Sequence, residues 1–227
     1  MLTVLDRKPG YRFTLDGNEQ YASVDEALAL WRAIESTPAL RRLAASILLI
    51  EQPLARKSAL VSDVGALGAA RPVIIDESDA DLDAFPEARA RGYRGVSSKA
   101  CKGFYKSLIN RGRCVLWNRE AGHEAYFMSA EDLTTQAGLA LQQDLALVSL
   151  LGLEHVERNG HHYVRGLAAL PPAEQRALLG AHPDLYVDDR GLVRLRITRG
   201  RLDIRSLECA GFAAGAAPDW AGLREVA

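Results

Sequence analysis

The chain has 227 residues, 48% of them hydrophobic, with 28 Lys and Arg against 29 Asp and Glu and a formal charge of −1. That length builds one barrel-sized domain with a full core, and the balanced charge leaves no basic stripe, which excludes a nucleic-acid partner. No apolar run approaches membrane-spanning length, and the amino terminus carries charge where a secretory signal needs an apolar core. Cys101, Cys114 and Cys209 are odd in number without paired metal spacing, so the expectation is a cytoplasmic protein in a reducing compartment.

Residues 1–10 hold one short apolar stretch and end on the turn signal Lys8-Pro9-Gly10. The first strand is expected near Tyr11 to Leu15 and ends on Asp16. Ser23 opens the first crossover helix with Glu26 three positions on, the capping-box pattern, and the apolar residues that follow recur at helical spacing. Ser46-Ile-Leu-Leu-Ile-Glu-Gln-Pro reads as a strand buried on both faces that stops at Glu51 before the chain-breaking Pro53. A second helix is expected over Ala55 to Ala70. Arg71-Pro-Val-Ile-Ile-Asp-Glu-Ser is a strand ending on Asp76 and Glu77, and a third helix covers Asp79 to Arg91.

The stretch from Gly92 to Gly103 is a short strand ending on Lys99, followed by a helix to about Glu120 that Gly112 weakens in its middle. Ala125-Tyr-Phe-Met is a further strand, closing on Ser129-Ala-Glu-Asp and so on Glu131 and Asp132. Thr135 to Leu151 is a long apolar helix, and Leu153 to Tyr163, with His161 and His162, is a polar strand or loop. From Pro171 the pattern changes to a short helix and a hairpin over Asp184 to Ile197 with Asp-Arg-Gly at its turn. The Ala- and Gly-rich tail after Glu208 is expected to be poorly ordered.

Asp16, Glu51, Asp76 and Lys99 are separated by 35, 25 and 23 positions, room for one helix and one strand each, which predicts a parallel sheet of βα units. Six such strands are present where a closed (β/α) barrel has eight. The expected fold is therefore α/β, an incomplete TIM-type barrel over residues 11–170, preceded by an extension or truncation point at 1–10 and followed by a hairpin and tail at 171–227. If the strands are parallel neighbours, Asp16, Glu51 and Asp76 meet at one rim and can share a cation. Oxygen ligands favour Mg²⁺, or Mn²⁺, over zinc.

Strand alternation turns Asp76 and Glu77 opposite ways, so one of the two coordinates. Asn18 and Gln52 are candidates for orienting the carboxylates. Lys99, beside Lys102 and Lys106, reads either as the solvated start of a basic helix or as a lysine desolvated into a useful range for a general base. Cys101, with no His neighbour, reads as a small buried residue.

Leu15-Asp-Gly-Asn-Glu-Gln-Tyr, Ile50-Glu-Gln-Pro-Leu, Ile75-Asp-Glu-Ser and the strand-end Lys99, in this order over about residues 11 to 100, resemble the enolase superfamily in its mandelate racemase and muconate lactonizing enzyme branch. The resemblance implies a (β/α)7β barrel of which this chain carries strands three to eight, with Asp16, Glu51 and Asp76 as Mg²⁺ ligands and Lys99 as the base. It implies abstraction of a proton α to a carboxylate on a small substrate, as in racemases, epimerases, cycloisomerases or dehydratases. It also selects Asp76 over Glu77, leaving Glu77 to pair with Lys99. Glu131 and Asp132 fall where rim or substrate-facing groups stand, and His161 and His162 lie in the last unit, away from the position of the family's histidine base.

The family's capping domain and first two barrel strands would precede Tyr11, and its Pro-Gly-Leu-Gly appears here as Arg199-Gly-Arg-Leu. The expectation is a homo-oligomer, or a partner chain that supplies the missing strands. The alternatives are a non-catalytic fragment or subunit and, third, a Schiff-base aldolase using Lys99, for which three converging acids are superfluous.

Overall fold

The protein is represented by a computed structural model that describes residues 7–8, 10–131, 138–157 and 164–222. It divides into two compact units, residues 1–97 with 108–129, and residues 98–107 with 130–227. Among the described residues no helix is long and apolar enough to cross a membrane.

In the first unit five parallel strands curl into a half-barrel: β1 (Phe13–Asp16), β2 (Ile47–Glu51), β3 (Val73–Ile75), β4 (Gly95–Ser98) and β5 (Phe127–Glu131), hydrogen-bonded in chain order. This is the incomplete TIM-type barrel that the spacing predicts. The register pairs Leu15 with Ile50 and Asp16 with Glu51, then Glu51 with Ile74, then Ile75 with Val96. Leu49, Ile50, Val73, Ile74, Ile75 and Val96 are all buried, as strands covered on both faces require. Gly95 is needed for close packing, because a Cβ there would lie 2.6 Å from the carbonyl oxygen of Phe127.

Helix α1 (Val24–Ser36) forms as its capping box foretells: Ser23 Oγ accepts from the Glu26 amide at 3.3 Å, and the Glu26 carboxylate accepts from the Ala22 amide at 3.0 Å. It buries Ala27, Leu28, Trp31 and Ile34. A short helix that the sequence pattern did not reveal, α2 (Arg41–Ser46), leads into β2. The expected single helix over Ala55 to Ala70 is instead two, α3 (Arg56–Ala59) and α4 (Gly65–Ala70). The break has a local cause: the Asp63 carboxylate accepts from the Gly65 amide at 2.8 Å, a side-chain turn that competes with the helical ladder. Helix α5 (Ala84–Ala90) starts later than Asp79 for the same reason, since Asp81 accepts from the amides of Asp83 and Ala84. Helix α6 (Phe104–Ala121) runs through Gly112 without interruption.

In the second unit the end of β5 pairs in parallel with β6 (Val156–Glu157). Helix α7 (Leu139–Leu151) ends at Gly152, whose φ of 63° supplies the left-handed cap. Helix α8 (Pro172–Ala181) and the hairpin β7 (Tyr186–Asp189) and β8 (Leu192–Leu195) share a core with α7 that includes Leu141, Leu178, Tyr186 and Val193. The hairpin turn falls at Arg190 and Gly191, both at positive φ, as its Asp-Arg-Gly predicts.

The tail departs from expectation. Leu207 and Ala213 are buried in this core, the Phe212 ring packs edge-on against Phe104 with centroids 4.9 Å apart, and His182 bonds Ser206 Oγ and the Ala214 carbonyl at 3.0 and 3.1 Å. A few apolar anchors and a buried imidazole order a segment whose composition suggested none.

Candidate active-site rim

Asp16 and Glu51 end β1 and β2 of the first unit, and Asp76 directly follows β3. Asp16 stands opposite Glu51, so these two share one face of the sheet; Glu51 stands opposite Ile74, two residues before Asp76, which lies in the bend directly after β3. Glu51 and Asp76 are buried, at 5% and 2% exposure, whereas Asp16 is exposed. The difference follows from position, since β1 is at the edge of the sheet with β2 as its neighbour.

The loop after β1 is laced onto the end of β2. The Gly17 amide donates to the Glu51 carbonyl at 2.7 Å, the Glu19 amide to Gln52 at 2.9 Å and the Tyr21 amide to Pro53 at 3.0 Å. A Cβ on Gly17 would lie 2.5 Å from Pro53 Cα, so this approach admits glycine alone. Asn18, at φ 42°, turns back on Asp16: its amide donates to Oδ1 at 2.8 Å and its side chain to Oδ2 at 3.3 Å. Asn18 thus engages both carboxylate oxygens of Asp16.

Gln52 is fully buried and makes four side-chain bonds. Its Oε1 accepts from the amides of Asp76 and Ser78 at 2.8 and 3.2 Å, and its Nε2 donates to the Leu54 carbonyl at 2.8 Å and Ser78 Oγ at 2.7 Å. Gln52 holds the backbone that carries Asp76.

Sequence reasoning missed the neighbouring ion pair. Glu19 takes the Arg56 amide at 2.6 Å and its guanidinium in two-pronged fashion, at 3.1 and 2.8 Å. These bonds hold the Glu19 carboxyl below its ordinary range. The two residues lie 37 positions apart, and no local pattern joins them.

A divalent cation is tested here by donor chemistry and placement. Three carboxylates at or directly after neighbouring strand ends are the hard oxygen donors that Mg²⁺ takes. Among the described residues, however, no group of three or more His, Cys, Asp or Glu side chains is gathered into a metal-holding cluster, and both oxygens of Asp16 are engaged by Asn18. The donors and register suit the ion; the side-chain placement is not that of a closed site.

Lys99 is 5% exposed and therefore no solvated lysine. It continues β4 in extended conformation, φ −142° and ψ 141°. The next amide, of Ala100, donates to Asp144 Oδ1 at 2.7 Å. Asp144, at 8% exposure, was not singled out from sequence, although a lone acid in the apolar helix Leu139–Leu151 was a readable signal. Cys101 is exposed rather than buried.

Glu77 is half-buried. Glu131 ends β5 opposite Glu157, while Asp132, His161 and His162 lie outside the described residues. Two clefts of about 1030 and 610 Å³ open in the second unit, the larger lined by Asp184, Arg196, Arg199, Arg201 and Arg205, and neither includes a residue expected from sequence to bind the metal or substrate or to move a proton.

These elements define the class of fold, a partial (β/α) barrel of the kind that forms the enolase C-terminal domain. No family model and no curated protein matches the sequence. Among solved structures the chain is similar to a mandelate racemase/muconate lactonizing enzyme from Roseiflexus sp. (TM-score 0.52, 21% identity, 71% of this chain and 42% of that one). It is similar also to an unknown member of the enolase superfamily from Enterococcus faecalis V583 (0.55, 15%, 85% and 45%), and to the L-Ala-D/L-Glu epimerase from Bacillus subtilis (0.50, 14%, 81% and 45%). At these identities the likeness is one of fold, and the chain spans less than half the length of each.

Proposed function

We propose that this chain carries the acidic half of an enolase-type active site, acting in the abstraction of a proton α to the carboxylate of a small substrate. The observation that supports the reading is that Asp16 and Glu51, paired in register, end two neighbouring parallel strands and Asp76 directly follows the third. These residues would hold Mg²⁺ or Mn²⁺, and such an ion would supply charge stabilisation for an enediolate. The chain's own part is to hold the acids in place: Gln52 pins the backbone at Asp76 and Asn18 fixes Asp16. Lys99 is assigned the proton-moving role from the motif it ends, and its burial agrees with a lysine removed from water.

Titration with Mn²⁺ followed by electron paramagnetic resonance tests the acids, with binding expected in the wild type and lost in Asp76→Asn. Proton exchange at the α-carbon of a panel of small carboxylates in D₂O, followed by NMR, tests the chemistry. Lys99→Ala is expected to abolish exchange while leaving Mn²⁺ affinity nearly unchanged.

The second reading, a non-catalytic fragment or a subunit completed by another chain, is favoured by the engagement of Asp16 with Asn18 and the lack of a gathered cluster among the described residues. Absence of Mn²⁺ binding would select it. Borohydride trapping of an imine on Lys99 would select the aldolase reading.

A further inference from the structure

The turn Arg199-Gly-Arg-Leu is where the chain departs from the family's Pro-Gly-Leu-Gly. Arg199 and Gly200 take its two central positions at φ 52° and 74°, and Thr198 and Arg201 exchange backbone bonds at 2.9 and 3.0 Å across it. Asn, Asp or Gly is usual at the first of these positions, so an arginine stands there against the local backbone preference. The departure sets two guanidinium groups on the wall of the larger cleft of the second unit.

The charges in that cleft do not cancel. Arg196, Arg199, Arg201 and Arg205 line it with Asp184 and Asp203, an excess of two positive charges. Arg205 is held by Asp203 at 2.6–3.1 Å, and Arg196 gives a bond to the Tyr186 carbonyl at 3.3 Å. The side chains of Arg199 and Arg201 have no partner among the described residues. Such guanidinium groups match a phosphate monoester, whose charge of about −2 and three acceptor oxygens take their paired N–H groups.

The second cleft supplies an independent observation. It adjoins the first, since Ile204 and Arg205 line both. Its volume of about 610 Å³ is that of a small-molecule site, and its wall is mainly apolar, with Phe104, Ala146, Leu150, Leu207, Phe212 and Ala213. Leu150 is 59% exposed. Apolar surface left open in a concave site is where the hydrocarbon part of a ligand gains by leaving water. Cys209, an exposed free thiol, stands on the same wall and so reports on occupancy.

We propose that the joined clefts bind a small amphiphilic phosphate monoester, with its phosphate on Arg199 and Arg201 and its hydrocarbon part in the cleft of Leu150 and Phe212. Every lining residue belongs to the second unit, and the proposal does not depend on the reading of the acidic rim. Two features select the ligand together: a neutral amphiphile leaves the guanidinium groups unmatched, and inorganic phosphate gains nothing from the apolar wall.

The probes are octyl phosphate below its micellar concentration, inorganic phosphate, octyl glucoside and octanoate, each titrated into the full chain by calorimetry. Octyl phosphate is expected to bind more tightly than each of the other three by about tenfold or more. Arg199→Asn with Arg201→Ser, which keeps a residue suited to positive φ at position 199, is expected to lower octyl phosphate affinity by about tenfold or more and to leave that for octyl glucoside unchanged. In the wild type octyl phosphate is expected to slow thiol labelling of Cys209, read by peptide mass spectrometry, without slowing that of Cys101, whereas inorganic phosphate slows neither. Unchanged far-ultraviolet circular dichroism shows that the double variant folds; if it does not fold, the wild-type titrations and Cys209 labelling decide. Inorganic phosphate, octyl glucoside or octanoate binding as tightly as octyl phosphate, a folded double variant with unchanged octyl phosphate affinity, or Cys209 left unprotected each overturns the proposal.

Discussion

Replacing Gln52 by leucine isolates what holds the Asp76 segment in place. Leucine nearly matches the volume, so the core stays filled, but all four side-chain bonds are lost. The amides of Asp76 and Ser78 and the carbonyl of Leu54 are then left without that partner at a fully buried position; the Ser78 hydroxyl can rotate to another. Each stranded backbone group costs about 1–3 kcal/mol. The apolar side chain returns about 1.5–3 kcal/mol through its own burial, leaving a net loss of about 3 kcal/mol. Against the total stability of about 5–15 kcal/mol typical of natural domains, that is a large fraction. Urea unfolding monitored by circular dichroism should show a lower midpoint at unchanged slope. A Gln52→Leu unfolding free energy within about 0.5 kcal/mol of wild type, the spread of ordinary surface substitutions, would refute the reasoning. It would mean that the Asp76 segment is held by something other than this amide.

Gly17→Ala should cost about 1–3 kcal/mol in the same assay, because the added methyl meets Pro53 Cα at 2.5 Å and two backbone oxygens at 3.2 Å, none of which can swing aside. Glu19→Gln should flatten the acid limb of the stability curve. The Glu19 carboxyl is held below its ordinary value by Arg56, so its contribution is present above the unfolded pKa and lost as pH falls through the folded one. The effect will be small because the Arg56 side chain is 63% exposed. In native protein at mildly alkaline pH a thiol reagent should titrate Cys101 and Cys209 rapidly and Cys114 only on unfolding, since burial pushes the Cys114 thiol up to about 12.

The parts of the fold legible in the sequence are those set by local rules. The Ser23 and Glu26 capping box gave α1, and the apolar runs ending at Glu51 and Asp76 gave β2 and β3 with the carboxylates at their ends. What escaped was decided by competition or by distance. Asp63 and Asp81 take amides that a uniform helical pattern assigns to the ladder, so one expected helix divides and another starts late. Gln52 was legible as a candidate supporting residue, but not the backbone it reaches, which lies 24 to 26 positions away. The Glu19 and Arg56 pair had no signature at all. The tail after Glu208 was misjudged on composition: among its described residues Ala213 enters the core and the Phe212 ring packs on Phe104.

The segment from Glu51 to Leu54 is shared property of two loops. On one side it receives the amides of Gly17, Glu19 and Tyr21; on the other, the Gln52 side chain receives those of Asp76 and Ser78. Neither loop can lift without disturbing the splint that also holds the other. Amide hydrogen exchange at these five positions should therefore proceed as one cooperative opening rather than as independent fraying. Motion at this rim is then all or none: Asp16 and Asp76 keep their separation until the whole cluster opens, and a ligand that binds both does not have to order them one at a time.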